Sequence, residues 1–274
     1  MQTEMSVAKN VGSFQELTEL GAKNAFTFGN KDWGNMSLIS NPGAAGNYAK
    51  VFDEIGHKGR EFIYLRSEYN DNVQILTDKN LPLYHYNQGE IISEEVGLRT
   101  IMIQSDGIIT KQPIPIIMAV GDCAIVVVTG KDRNDNKPFI AYIHSGFQGT
   151  YLNITTKTIK TILNNYRVSA YELSAFIFPY IHGQQYTKKR GHELLESALQ
   201  EPSWNDFLVE SYGVVEIHFG KKIMAELTNL GITNIRESGL NTYEEHQKGN
   251  LFSATYEKDK GVDEGARFAV IASL

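Results

Sequence analysis

The order of secondary-structure signals in this sequence predicts an α+β fold with mixed β-sheets. Segments typical of strands and of helices mix along the chain without the strict βαβ alternation of a doubly wound sheet. Glycine and proline are scattered over the 274 residues, and no linker-like block or internal repeat divides them. A chain of this length can bury a large core, so we expect a single domain over residues 1–274.

Short β-prone runs bounded by turn residues predict the strands. Residues 124–129 are the most strongly β-prone, and residues 138–144 follow them after a polar loop, so the two runs predict a β-hairpin. Residues 11–50 are rich in Gly, Asn and Ser, which predicts turns between short strands. The other predicted strands are residues 61–65, 101–104, 114–120, 173–178 and 266–272.

Three segments predict helices. In the first, residues 150–166, the side chains of Ile154, Thr158 and Ile162 recur at helical spacing on one face. The last ends before Gly231, a residue that favours the end of a helix. The second and third segments are residues 192–200 and 219–230.

Charge and cysteine content limit the classes of function. A formal net charge of −6 lacks the basic footprint of a nucleic-acid-binding protein, and no polybasic stretch favours an anionic membrane. We find no signal-peptide pattern at the N-terminus and no apolar run approaching the roughly 20 residues of a membrane span. The single cysteine rules out an intramolecular disulfide. We therefore expect a protein of the reducing cytoplasm that binds neither nucleic acid nor a membrane.

The predicted hairpin brings together one thiol and one imidazole. Its loop joins the inner ends of the two strands, so Cys123 and His144 at the outer ends should lie roughly level. Such a pair can bind zinc, or the imidazole can take the thiol proton and create a nucleophile. Asp122, next to Cys123, is the candidate to orient a group or accept a proton. Either residue alone is better explained as a buried cysteine or a partnered histidine. Together, with Asp122 adjacent and Gly146 and Gly149 close behind, they favour a functional site.

The turn after His144 is a candidate binding element. Residues 145–149 read Ser-Gly-Phe-Gln-Gly and lead into the predicted helix. Glycines in such a turn let backbone N–H groups approach an anion, which makes Gly146 a candidate substrate contact. The alternative is a simple tight turn with Thr150 as the helix cap.

Three segments of the sequence carry a family resemblance: Ser105-Asp-Gly-Ile-Ile-Thr110, Met118-Ala-Val-Gly-Asp-Cys123 and Ile143-His-Ser-Gly-Phe-Gln-Gly149. They resemble the core of the YfiH-type laccase-domain family, whose patterns are Ala-Asp-Ala-x-x-Thr, Thr-Ala-Asp-Cys and Ala-His-Ala-Gly-Trp-Arg-Gly. Members have been described as multicopper polyphenol oxidases and as purine nucleoside phosphorylases with adenosine deaminase activity. The resemblance implies a layered α/β/β/α domain, a purine nucleoside and phosphate as substrates, and zinc or copper held by Cys123 and His144.

The sequence departs from the family at the third metal ligand and at several arginines. Counting back from Asp106, the family's early His-Gly position falls on Gln88-Gly89, so Gln88 replaces the expected ligand histidine and becomes a predicted substrate contact. His85, three residues upstream, is the predicted third metal ligand, on condition that the loop is rearranged. Gln148, a further predicted substrate contact, replaces an arginine of the family pattern. Because arginine forks bind phosphate well, this difference predicts weak phosphorolysis. Two alternatives stay open: a metal-free Cys–His hydrolase or amidase, and a non-catalytic relative that binds a nucleoside or a partner.

Overall fold

Two β-sheets packed face to face, with helices on their outer faces, form the protein in this computed structural model. The structure describes residues 12–13, 24–29, 32–41, 43–57, 61–81, 89–93, 97–262 and 264–274. The strands are β1 (Gly12–Ser13), β2 (Asn24–Phe28), β3 (Glu61–Arg66), β4 (Val73–Leu76), β5 (Gly89–Ser93), β6 (Leu98–Gln104), β7 (Gly107–Thr110), β8 (Ile116–Val120), β9 (Ala124–Asp132), β10 (Lys137–Ser145), β11 (Ser174–Ile177), β12 (Thr187–Lys189), β13 (Leu208–Ser211), β14 (Val214–Ile217), β15 (Asn234–Glu237) and β16 (Phe268–Ser273). The helices are α1 (Ala44–Glu54), α2 (Phe147–Tyr151), α3 (Ile154–Asn165), α4 (Glu193–Leu199), α5 (Phe219–Asn229), α6 (Thr242–Gln247) and α7 (Ala254–Asp259).

The described strands form two large mixed sheets and one small sheet. The first sheet has the order β1-β2-β16-β8-β3-β6-β5, and the second has the order β15-β11-β9-β10-β7-β4. Both contain parallel and antiparallel pairs, such as β3 with β6 and β16 with β8 in the first sheet. Strands β12, β14 and β13 make a small antiparallel sheet.

Three apolar clusters hold these layers together. The middle one joins the inner faces of the two sheets, for example Ile63 of β3 and Val127 of β9. On the outside of the first sheet, α1 packs Tyr48 and Phe52 against Phe62. On the outside of the second sheet, α3 and α5 cover the other face of β9 and β10. Because both faces of each sheet are covered, β9 begins with a continuous apolar run from Ala124 to Val128.

The predicted fold class is confirmed, and the order of layers is α/β/β/α. The predicted hairpin is also confirmed as β9 and β10, which pair from Asp132 opposite Lys137 to Ala124 opposite Ser145. The boundaries of a single domain at 1 and 274 stay a prediction, since the described residues do not reach both ends without gaps. None of the described helices has the length and apolarity needed to span a bilayer.

Two sequence predictions of local structure were wrong. Residues 150–166 do not form one helix, because the chain breaks between α2 and α3 at Asn153, which adopts the left-handed conformation with φ 60°. Asparagine tolerates that conformation better than most residues. Residues 11–50 contain the first turns of α1 in addition to turns and strands. Its apolar spacing, Ala44, Tyr48 and Phe52, is that of a helix facing a sheet.

Candidate active site at Cys123 and His144

The site lies at the open end of the β9–β10 hairpin. His144 pairs with Ile125, and Cys123 stands one residue outside β9, so the two are offset along the hairpin and not level as the sequence predicted. The thiol of Cys123 and the imidazole of His144 are nevertheless in hydrogen-bond contact, because Gly146, which lies beside them, has no side chain. A methyl group on the α-carbon of Gly146 would lie 2.6 Å from Sγ of Cys123 and 3.8 Å from Nε2 of His144. A side chain at Gly146 would therefore displace the thiol.

Asp106 fixes the orientation of the His144 ring. Its Oδ1 lies 2.8 Å from Nδ1 of His144, and the His144 backbone N–H donates to the Asp106 carbonyl oxygen at 2.8 Å. The carboxylate also accepts hydrogen bonds from the Ser67 hydroxyl and from the backbone N–H groups of Asn70, at 2.9 Å, and Glu68, at 3.2 Å. Since a carboxylate accepts, Nδ1 is the donor and Nε2 is left facing the thiol.

The electrostatics of the site favour a charged imidazole. Burial lowers the pKa of His144, but Cys123 and Asp106 outweigh burial through charge and hydrogen bonds and raise this pKa to about 9. Burial acts to raise the pKa of Asp106, but hydrogen bonds from His144, Ser67 and Asn70 hold it below its usual value. At neutral pH a positively charged imidazole therefore lies between the Asp106 carboxylate and the Cys123 sulfur.

Asp122 is held in a buried hydrogen-bond network next to Cys123. Its carboxylate accepts hydrogen bonds from the hydroxyls of Thr242 (2.7 Å) and Ser253 (2.6 Å) and from the backbone N–H of Thr255 (2.7 Å). These contacts tie α6 and α7 to the end of the hairpin. The predicted role of Asp122 in proton transfer stays a prediction, and the observed contacts give it a structural role.

Two tyrosines that the sequence analysis did not single out flank the pair. The Tyr69 ring lies edge-on to the imidazole of His144, with 5.8 Å between ring centroids. Burial is the main cause of a raised pKa at Tyr186, and the charges of Cys123 and Asp122 add to it, so this phenol lies near both residues.

Tyr69 is held in an uncommon backbone conformation. Its φ is 54°, in the left-handed region that non-glycine residues seldom adopt. Its N–H donates to the Ser67 hydroxyl at 2.9 Å, and its carbonyl oxygen accepts from the Gln148 side chain at 2.7 Å. Backbone strain of this kind is frequent at functional sites. Gln148, which was predicted to contact substrate, therefore stabilises the backbone of Tyr69, and Tyr69 lines the cleft beside His144.

The remaining predicted ligands lie outside the described residues. His85, the predicted third metal ligand, and Gln88, a predicted substrate contact, fall within residues 82–88, so their roles stay predictions. Within the described ranges, no group of three or more His, Cys, Asp or Glu side chains is arranged to hold a metal ion. Among those same residues, the aromatic ring that meets His144 is that of Tyr69.

Two clefts adjoin the site. One, of about 360 Å³, includes Ser67 and Tyr69 in its lining and so opens beside Asp106 and His144. The other, of about 430 Å³, includes His182 and His218. It starts next to Ile181, whose N–H donates to the Asp122 carbonyl oxygen at 3.0 Å. Both volumes are in the range of small-molecule sites.

The profile of one protein family, the multi-copper polyphenol oxidoreductase laccases, matches residues 41–273 of the sequence. The chain belongs to this family. The match contains all three segments that carry the YfiH-type resemblance, including Asp106, Cys123 and His144. The sequence prediction of family membership is therefore confirmed.

Several solved structures share the fold. The hypothetical protein YfiH of Bacillus licheniformis has a TM-score of 0.73 and 18% identity, with 96% of each chain covered. YlmD of Geobacillus stearothermophilus has a TM-score of 0.71 and 16% identity, with 92% of each chain covered. Neisseria meningitidis protein NMB0706 has a TM-score of 0.64 and 16% identity, covering 97% of this chain and 95% of its own. None of the curated proteins compared with the sequence matches it.

Proposed function

We propose that this protein is an enzyme of the purine nucleoside phosphorylase and adenosine deaminase type, with its chemistry at Cys123 and His144. The observation that carries the proposal is the convergence of Sγ and Nε2 on one point, with Nδ1 occupied by Asp106. Membership of the family supports the substrate class that the sequence resemblance implies. The lone thiol fits a reducing cytoplasm as the place of action.

The donor chemistry of the pair fits a zinc or copper ion. Thiolate and imidazole are the ligands these metals prefer. A histidine ligand usually donates its other N–H to a carboxylate, and Asp106 occupies that position on His144. Cys123 and His144 would therefore hold the metal, with His85 as the third ligand predicted from the sequence. A bound zinc ion would supply Lewis acidity for attack of water or phosphate on the nucleoside.

The protein's own groups have distinct tasks in this proposal. Asp106 keeps the Nδ1 proton in place, so any proton that His144 moves is moved at Nε2. Gly146 leaves the space between Cys123 and His144 open to a reacting atom. Tyr69 borders the cleft beside His144, where a nucleoside would enter.

A second candidate is a cysteine hydrolase or amidase without a metal. The order thiol, imidazole, carboxylate is that of a nucleophile, its base and the group that orients the base. The raised pKa of His144 specifically favours this alternative, because an imidazolium beside a thiolate is the resting state of such enzymes.

The proposed function is tested with zinc-replete protein, adenosine or inosine, and phosphate, with release of base or ammonia as the readout. We expect about one zinc per chain and a loss of turnover of roughly a hundredfold or more in His144→Gln. The exposed His192 provides a matched control, and His192→Gln should leave turnover unchanged. Less than a tenth of an equivalent of zinc would rule out the metal site.

Chelation and alkylation separate the two candidates. Turnover that survives removal of zinc but disappears when Cys123 is alkylated would favour the cysteine hydrolase. Absence of turnover of either nucleoside by the metal-loaded protein would contradict the proposed function. Binding of a nucleoside without turnover would then indicate a non-catalytic relative.

A further inference from the structure

The cleft beside Tyr69 carries two arginines, Arg66 at the end of β3 and Arg267 just before β16. Its described lining residues include no aspartate or glutamate. In a chain of net charge −6 this concentration of positive charge is unusual.

The two arginines lack carboxylate partners among the described residues, in contrast to others on the surface. Arg99, Arg133 and Arg190 each contact a glutamate, at 3.8, 3.0 and 3.2 Å. Arg267 instead donates from Nη1 to the carbonyl oxygen of Ala266 at 2.7 Å, which holds its guanidinium in place at the cleft. Arg66 is exposed and free to meet a ligand.

Other groups of the cleft complement the arginines and link them to the site. Ser37 and Ser40 add hydroxyls to the lining, and the Ser67 hydroxyl connects it to the site through Asp106. Burial raises the pKa of Tyr64 to about 12, whereas the positive charges of Arg66 and Arg267 act to lower it. The two arginines therefore lie near the same phenol, that of Tyr64.

We propose that Arg66 and Arg267 bind a phosphate group in this cleft, next to the Cys123–His144 centre. Guanidinium groups present paired N–H donors that match phosphate oxygens, and hydroxyls supply further donors. The inference rests on the proposed function and makes it more specific. The phosphate is either the free co-substrate or part of a nucleoside monophosphate. The arginine that the family pattern carries at the position of Gln148 thus has a functional replacement near the ends of β3 and β16.

The test measures binding and not turnover, so it does not depend on the proposed reaction. Inorganic phosphate, inosine monophosphate and inosine are titrated calorimetrically, at constant ionic strength, into the full chain carrying Cys123→Ser. We expect saturable binding of a phosphate-bearing ligand, weakened about tenfold by Arg66→Gln, since that variant loses a charged hydrogen-bond donor. Arg99→Gln removes the same charge at a distance from the cleft and should leave the affinity unchanged.

The three ligands distinguish the source of the phosphate. Binding of inorganic phosphate that is sensitive to Arg66→Gln supports a free co-substrate. Tighter binding of the monophosphate than of inosine, lost in the same variant, supports a nucleotide substrate. Equal affinities in Arg66→Gln and Arg99→Gln, or the absence of saturable binding by both phosphate-bearing ligands, would overturn the proposal. Arg267→Gln is less suitable because its side chain also packs near Gly121.

Discussion

Replacement of Asp122 by alanine is expected to lower the free energy of unfolding by about 3–5 kcal/mol. The carboxylate is only 8% exposed and accepts three hydrogen bonds of 2.6–2.7 Å, from Thr242, Ser253 and Thr255. Alanine would leave these buried donors without an acceptor. It would also release α6 and α7 from the end of the hairpin that positions Cys123.

Denaturant unfolding of Asp122→Ala measures this loss directly. Asp206→Ala is a matched control, because Asp206 is exposed and its removal should change stability by less than about 0.5 kcal/mol. A destabilisation below about 1 kcal/mol in Asp122→Ala would contradict the structural role. If Asp122→Ala kept its stability but lost turnover, this result would favour the proton-transfer role that the sequence predicts for Asp122.

Replacement of Asp106 by asparagine is expected to reduce turnover by about a hundredfold to ten-thousandfold while the fold is retained. The amide oxygen can still accept from the backbone N–H groups of Glu68 and Asn70. The amide NH2 would then face Nδ1 of His144 as a donor. The imidazole would respond by carrying its proton on Nε2, where it could neither accept the thiol proton nor bind a metal.

Steady-state kinetics of Asp106→Asn, with a thermal unfolding curve of the same sample, tests this prediction. Asp206→Asn makes the same chemical change on the surface and should keep full turnover. A loss of less than tenfold in a folded Asp106→Asn protein would show that the orientation of His144 does not depend on this carboxylate.

Local sequence patterns were sufficient for the central hairpin. Two β-prone runs separated by a polar loop predict β9 and β10, and their pairing brings Cys123 and His144 together. The small error in register arose because the strands extend unequally into the predicted loop: β9 continues past Thr129 to Asp132, whereas β10 begins only just before Pro138, at Lys137.

Local patterns could not predict which residues surround Cys123 and His144, because those residues come from distant parts of the sequence. Asp106 and Tyr69 reach His144 through the packing of β3 and β7, and non-local pairing leaves no local periodicity. The assignments of Gln88 and His85 rest on a residue count back from Asp106, and both residues lie outside the described part of the chain. Arg66 and Arg267 line the same cleft because β3 and β16 both pair with β8.

The most direct test of the account is the rate at which iodoacetamide alkylates Cys123 in metal-free protein at neutral pH. Because the chain has one cysteine, the rate measured on the whole protein is that of Cys123. A protonated His144 next to the sulfur should promote thiolate formation, so His144→Gln is predicted to slow alkylation at least about tenfold, while His192→Gln leaves the rate unchanged. Equal rates in the wild type and His144→Gln would contradict the claim that Cys123 and His144 form one functional centre.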